Sequence, residues 1–299
     1  MFNSIVAGIV LYNPENENYI DSIRVLIDIG IKVVIFDNSS EIEVRNVNLQ
    51  KINSQFLNSA SYLSDHRGNI GLAKAFNKLV KSTISDINLE GIFLFDQDSE
   101  VKKDTLNEVI KSYAFLKKQE FFGSISGTPI RESVKPYGVY KSHNQKYEKT
   151  GIISVARVPS SYSLIPLSTF QKIGYFNEAY FIDQIDIDFS LRSIKAGLNI
   201  YINKNATFIH NVGEGDINFF GIFLIPVCTP FRHYYQIRNQ ILCYKIHKSS
   251  ILTLSKNIIR RIILIILISL IKGDIKNRFY YSSKGLYDGF NSIVGELKK

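Results

Sequence analysis

The first half of the chain alternates short apolar runs with segments of helical spacing. Ile5–Leu11, Lys32–Phe36, Ser61–Leu63, Gly91–Phe95 and Phe122–Ser126 have the length and content of buried strands. Between them the apolar spacing predicts helices over Tyr19–Ile29 (with Gly30 as its stop), Gly71–Ser82 and Asp104–Gln119. Strands alternating with helices build βαβ units on a mainly parallel sheet, an α/β fold. That fold fixes where chemistry belongs, because an open α/β sheet binds its ligands beyond the carboxyl ends of its strands. Further on, Leu167–Ile173 and Asp186–Ala196 read as short helices ending at Gly174 and Gly197, and Ile200–Ile202 and Thr207–Ile209 as short strands. Residues 129–160 are polar and without a period, an active-site loop region or a small β excursion.

At 299 residues and 45% hydrophobic content, the chain can bury one large domain and carry an appendage. Its two cysteines, Cys228 and Cys243, do not make a disulfide framework and point to a reducing, cytoplasmic setting. The run at Ile5 lacks a basic leader and a cleavage site, so it reads as a first strand and not as a signal peptide. Charge divides the chain sharply. Of the net +9, the residues from Lys245 onward hold +8, with eleven Lys and Arg against three Asp and Glu. Basicity confined to a tail, with no nucleic-acid motif, argues against a nucleic-acid partner and for an anionic surface. Within that tail Ile262–Ile271 is apolar except for Ser269 and flanked by Lys256, Arg260, Arg261, Lys272, Lys276 and Arg278. Ten residues fall short of the roughly 20 that span a bilayer. The expectation is a helix lying in a membrane interface, and the alternative is a helix docked on the main domain. Phe219–Val227 reads equally as a core strand or a membrane-touching loop. We expect a domain over 1–245 and a basic, apolar helical tail over 246–299, on a protein peripheral to the inner face of the cell membrane.

Asp96-Gln97-Asp98 closes the run Gly91–Phe95. Two carboxylates one residue apart at a buried strand's end form a hard-cation site, suited to Mg²⁺ or Mn²⁺ against a substrate diphosphate. Tyr12 and Asn13 follow the first strand and place polar groups at the sheet's carboxyl edge. Asp37 and Asn38 end the second, where an Asp either accepts the imide N–H of a pyrimidine or caps the next turn. His66-Arg67-Gly68-Asn69-Ile70-Gly71 feeds a helix whose N-terminus favours an anion, with small residues at Ala73 and Ala75 and Asn77 beyond. It is not the dinucleotide Gly-x-Gly-x-x-Gly fingerprint. Asp183, Asp186 and Asp188 form a second acidic cluster. Asp188 and Arg192 are i,i+4 partners and suit a surface ion pair, while Asp183 and Asp186 are either helix caps or carboxylates able to deprotonate an acceptor hydroxyl. His210 is either structural or a third metal ligand. Arg232 and Arg238 are either cations for a diphosphate or anchors for the tail.

Taken in order, Leu-Tyr12-Asn13-Pro14, Phe-Asp37-Asn38-Ser39, Asn69-x-Gly71-x-Ala73-x-Ala75-x-Asn77, Asp96-Gln97-Asp98, Phe181-Ile-Asp183-x-x-Asp186-x-Asp188-x-x-x-Arg192, His210-x-x-Gly213 and Arg232-x-Tyr-Tyr…Arg238-Asn239 resemble family-2 glycosyltransferases, and within them the bacterial rhamnosyltransferase branch. The resemblance covers residues 5–245. It implies a GT-A fold, a single Rossmann-like nucleotide-binding domain with a mixed sheet, and inverting, metal-dependent transfer from a nucleotide sugar. It assigns Asp37 to the base, Asp96 and Asp98 to ribose and metal–diphosphate, and His210 to the metal. The general base is Asp186, with Asp183 as the alternative because Ile185 stands where the family usually has an acidic residue. The donor it implies is dTDP-rhamnose and the acceptor a cell-surface or lipid-linked glycan. A UDP-hexose or UDP-galactofuranose donor, or a non-catalytic nucleotide-sugar-binding membrane subunit, are the competing readings.

Overall fold

The computed structural model describes residues 2–131, 147–210, 215–219 and 223–298. The chain forms two compact units, one of Met1–Asn177 with Asp186–His210 and one of Glu178–Ile185 with Asn211–Lys299.

The first unit holds β1 (Ile5–Leu11), α1 (Asn18–Asp28), β2 (Lys32–Asp37), α2 (Ile42–Phe56), β3 (Ala60–Ser64), α3 (Leu72–Thr83), β4 (Gly91–Asp96), α4 (Lys103–Leu116), β5 (Phe122–Ile130), β6 (Ile152–Ser154), β7 (Ser163–Pro166), α5 (Leu167–Ile173), nearly all of α6 (Ile185–Lys195) and β8 (Asn199–Ile209). Its eight strands form one mixed sheet in the order β3-β2-β1-β4-β7-β5-β8-β6. β3, β2, β1 and β4 run parallel. β7 is antiparallel to both neighbours, so β5, and β8 parallel to it, again point the same way as β4. This is the α/β, mainly parallel architecture expected. Every residue of β1 is buried, as in a strand covered by helices on both faces. The chain winds outward from β1 through β2 to β3, then returns to place β4 on the other side of β1. The gap between the carboxyl ends of β1 and β4 is therefore a topological switch point.

Three departures from the sequence reading have physical causes. Helix α2 lacks an apolar stripe, because its inward positions include Arg45 and Asn48 beside Ile52 and Phe56. The two short strands expected after Gly197 are one strand, β8. An irregularity lets its pairing with β5 jump from Asn203 to Thr207. Of the polar stretch 129–160, the described part supplies the end of β5, a 3₁₀ turn at Glu148–Thr150 and β6, a small β excursion; residues 132–146 lie outside the described residues.

The second unit contains the hairpin β9 (Asp216–Phe219) and β10 (Phe223–Pro226) and the helices α7 (Pro230–His247), α8 (Ile251–Lys272) and α9 (Ile275–Phe290). α7 and α9 approach closely enough that a Cβ on Gly285 would lie 2.6 Å from the Tyr234 carbonyl oxygen, and one on Gly289 would lie 2.9 Å from Ile241 Cδ1. Only glycine fits the first of these, a contact with backbone. The apolar stretch Phe219–Val227, whose residues 220–222 lie outside the described residues, is strand-like where described. Ile225 and Val227 are buried with Ile268 of α8. Ile262–Ile271 belongs to the 22-residue α8, and among the described residues no helix is long and apolar enough to cross a membrane.

Candidate active site

The carboxyl ends of β1, β2 and β4 lie side by side, with Leu11 opposite Asp37 and Val10 opposite Asp96. Their loops are stitched together. The Asn38 N–H donates to the Leu11 carbonyl at 2.8 Å, and the Asn13 N–H to Ser39 Oγ at 2.8 Å. The Tyr12 N–H donates to Gln97 Oε1 at 2.7 Å, while Gln97 Nε2 donates back to the Tyr12 carbonyl at 3.1 Å. Asn13 holds a left-handed φ of 41°, and its Oδ1 accepts from the Ser40 N–H. Tyr12 and Asn13 therefore stay exposed while their backbone is fixed.

Asp37 faces inward. It is fully buried; Oδ1 accepts from the Ser39 N–H at 2.9 Å, and Oδ2 from Asn48 Nδ2 and the Tyr62 hydroxyl, both at 2.8 Å. Burial first, and then the hydrogen bond to Asp37, push the Tyr62 phenol well above its ordinary pKa. Arg45 Nη1 donates to the carbonyls of Ser39 and Ser40, closing the turn from the α2 side. The next loop docks on this turn. Asn38 Nδ2 donates to Asn69 Oδ1 at 2.9 Å, and Asn38 Oδ1 accepts the Ile70 N–H at 2.9 Å. Asn69 Oδ1 also accepts the Gly71 N–H. Gly68, at φ +76°, comes so near Ser40 that a Cβ would lie 2.5 Å from its carbonyl oxygen. Arg67 donates from Nε and Nη2 to the two oxygens of Asp65. That guanidinium holds the Asp65 carboxyl far below the usual carboxylate range.

Asp96, Asp98 and His210 come together, each offering a ligand atom within 4.8 Å of the others. β8 runs parallel to β4, so His210, whose N–H donates to the Ile130 carbonyl at 3.0 Å, emerges at the same sheet edge as Asp96. Burial lowers the His210 pKa, against a smaller opposing pull from Asp98. That favours the neutral imidazole a metal ligand requires. Two carboxylates and an imidazole suit Mn²⁺ or Mg²⁺ in donor chemistry. Ser161, which the sequence reading did not single out, sits beneath: its Oγ accepts the Asp96 N–H at 3.3 Å and lies 2.6 Å from Ser99 Oγ. The Asn211-Val-Gly213 end of the His210 motif lies outside the described residues.

The second acidic cluster splits into three environments. Asp188 is fully buried and bound by Arg192 Nε at 2.8 Å, a buried pair where a surface one was expected; Arg192 also donates to the carbonyls of Ile173 and Tyr175. Asp186, in the first turn of α6, is part-exposed, and its Oδ1 accepts the Ile187 N–H at 2.9 Å. Asp183 is ion-paired with Arg232, Nη2 to Oδ1 at 2.7 Å.

Two expected donor ligands serve the fold. The Asn77 side chain is buried and exchanges two 2.9 Å hydrogen bonds with the backbone of Phe176. Arg238 is fully buried, and its five N–H groups all have partners: Asn239 Oδ1, the Tyr234 hydroxyl, and the carbonyls of Gly295, Ala179 and Tyr180. A guanidinium so engaged has nothing left for a diphosphate. Of the two roles open to Arg238, the structure supports the anchor.

No family model matches the chain. It is 26% identical over a 310-residue alignment to the dTDP-rhamnosyl transferase RfbF of Shigella flexneri, covering 99% of this chain and 98% of that protein. It is 24% identical over 265 residues to the low-salt glycan biosynthesis hexosyltransferase Agl10 of Haloferax volcanii, covering 83% and 80%. Among solved structures, the mannosyltransferase PcManGT of Pyrobaculum calidifontis, in complex with GDP-Man and Mn²⁺, superposes with a TM-score of 0.58 at 10% identity, over 96% of this chain and 87% of that one. GalNAc-T7 with UDP, GalNAc and Mn²⁺ superposes with a TM-score of 0.57 at 12% identity. The match takes in 69% of this chain but under half, 43%, of that structure. The two structural likenesses concern the fold, which is GT-A. The two sequence matches are a likeness to a dTDP-rhamnosyl transferase and to a hexosyltransferase.

Proposed function

We propose that the chain is an inverting, metal-dependent glycosyltransferase that takes a nucleotide-sugar donor, dTDP-rhamnose, and glycosylates a hydroxyl of a cell-surface or lipid-linked glycan. The observation that carries this reading is the convergence of Asp96, Asp98 and His210 at the carboxyl edge of the sheet, beside its switch point. Full-length similarity to a dTDP-rhamnosyl transferase supports the choice of donor.

In this reading the exposed Tyr12 and Asn13 and the part-buried Asn69 and Gln97 line the nucleotide subsite. Asp37 and Asn38 shape it from within, by fixing the turn Ser39–Ser40 on which the base rests. Asp96, Asp98 and His210 would hold a divalent cation, which when bound neutralises charge on the donor diphosphate. Gly71, Arg67 and the start of α3 face the same edge and favour anions.

Asp186 is the general base. Its carboxylate takes the proton from the acceptor hydroxyl as that oxygen bonds to the anomeric carbon. The bond from that carbon to the diphosphate oxygen breaks on the opposite face, and the sugar inverts. Asp183 is poorly suited to this role, because Arg232 occupies both of its oxygens, Nη2 donating to Oδ1 at 2.7 Å and Nε to Oδ2 at 3.4 Å. General-base catalysis contributes roughly 10²–10⁴ in rate. Asp186→Asn keeps the shape and removes the base, so transfer should fall by about that factor with donor binding intact. Asp183→Asn should lose far less. A dead Asp183→Asn beside a near-normal Asp186→Asn would move the base upstream; full activity in both would refute the mechanism.

A further inference from the structure

Helix α8 has two faces. Leu254, Ile265, Ile268 and Ser269 are buried, and the opposite side carries Leu252, Lys256, Ile259, Ile263, Ile266 and Leu270 at alternating spacings of three and four. That spacing puts all six on one stripe of the helix. The stripe is exposed: Leu252 is 76% accessible, Leu270 70%, and the three isoleucines between them more than half. Apolar side chains in a continuous exposed row mark a contact surface. α9 adds the exposed aromatics Phe279, Tyr280, Tyr287 and Phe290.

Charge decides what covers the stripe. α8 contains no acidic residue, while Lys256, Arg260, Arg261 and Lys272 punctuate it. Lys256 and Arg260 lie on or beside the stripe, whereas Arg261 donates to Gln236 Oε1 on the other side of the helix. A second copy seated on the stripe would meet these cations with no acidic partner on α8, without the opposite-charge flanks that favour helix pairing. Of the three acidic residues that follow α8, Asp274 accepts from Asn277 Nδ2 at 2.7 Å and Asp288 is buried and accepts the Tyr234 hydroxyl, which leaves Glu296 against the cations of α8. An apolar row with basic neighbours and nearby exposed tyrosines matches the headgroup region of an anionic bilayer. α8, at 22 residues, does not qualify as a span.

We infer that the exposed stripe of α8 seats the protein on an anionic phospholipid surface, with Ile259, Ile263, Ile266 and Leu270 entering the interface and Lys256 and Arg260 meeting lipid phosphates. The inference does not rest on the transferase reading, and its test needs no activity.

Full-length protein is floated with vesicles of phosphatidylcholine alone or with one-third phosphatidylglycerol. The parent chain should float with the anionic vesicles and not with the neutral ones. Lys256→Gln with Arg260→Gln should weaken partitioning roughly thirty-fold, at about 1 kcal/mol for each charge. Ile263→Ser with Ile266→Ser should abolish flotation. Both positions are exposed, so the melting temperature should hold, and a shared drop in melting temperature would direct the test to the charge variant alone. Failure of the parent to float, or equal flotation of parent and both variants, would overturn the inference. So would an oligomer, seen by light scattering, that the isoleucine variant dissolves while flotation is unchanged, because the stripe would then belong to a second copy.

Discussion

Asn239→Ala should cost more turnover than its distance in sequence from the acidic cluster suggests. The loop just before α6 carries three non-glycine residues in the left-handed region: Phe181 at φ 63°, Asp183 at 62° and Gln184 at 64°. Each such residue costs about 1–2 kcal/mol, so the loop stores about 3–6 kcal/mol. Asn239 Nδ2 offsets part of this by donating to the carbonyls of Tyr180, Ile182 and Asp183 at 3.0, 2.6 and 3.1 Å, while Arg238 holds Ala179 and Tyr180. Truncation to alanine leaves those carbonyls short of a donor, at about 1–3 kcal/mol in all. That is a large share of the stored strain, so the loop should relax toward ordinary φ. If Asp186, two residues beyond Gln184, is the base proposed above, its carboxylate should lose its fixed position. A misplacement of about 1 Å costs about 10²-fold in rate. Steady-state kinetics should then show a kcat lower by about that factor with the donor KM unchanged, and limited proteolysis should cut faster within 178–184. A variant that loses stability but keeps its kcat would show that the clamp supports the fold and not the base.

Two further outcomes follow from the same structure. EDTA should abolish transfer and Mn²⁺ restore it, and Asp98→Asn or His210→Ala should bind Mn²⁺ at least about tenfold more weakly by paramagnetic titration, since even supporting residues around a metal are worth that much; undiminished activity in metal-free protein would refute the cation's role. His233 is buried, with Arg278 Nη1 donating to its Nε2 at 2.8 Å, and desolvation first and then Arg278 lower its pKa to about 4. The unfolded chain therefore takes up a proton below pH of about 6.5 that the folded one refuses until about 4, so stability is full above 6.5 and falls through this window. Between pH 7 and 5 the loss should be about 2 kcal/mol by denaturant titration, and His233→Gln should remove that increment; an unchanged pH slope in the variant would contradict it.

Much of the sheet was legible because its inner strands are buried on both faces and read as unbroken apolar runs; β1 and α5 keep their expected bounds. Helix α2 was invisible for the opposite reason. Its inward face spends Arg45 and Asn48 on the turn after β2, and hydropathy cannot separate a polar side chain that is satisfied inside from one that is solvated. Asp96 and Asp98 stood out by position at a strand's end. Their grouping with His210 depends on the parallel course of β4 and β8, more than a hundred residues apart, which local pattern does not contain. Asn77 and Arg238 were misjudged because a polar residue in an ordered motif suggests a ligand, whereas their partners are backbone atoms remote in sequence. The partner that distinguishes Asp183 from Asp186, Arg232, likewise lies outside the motif.

The most direct test of the central claim is a donor screen that reads released nucleotide diphosphate. Purified protein with Mn²⁺ is offered dTDP-rhamnose, UDP-glucose, UDP-galactofuranose and GDP-mannose in turn, with Asp98→Asn as the control. The account predicts turnover with dTDP-rhamnose above all others, at a rate that Asp98→Asn loses. Preference for a UDP-sugar would correct the donor and leave the site standing. Release that is equal in Asp98→Asn, or absent with every donor while the same samples bind none of the nucleotides, would contradict it.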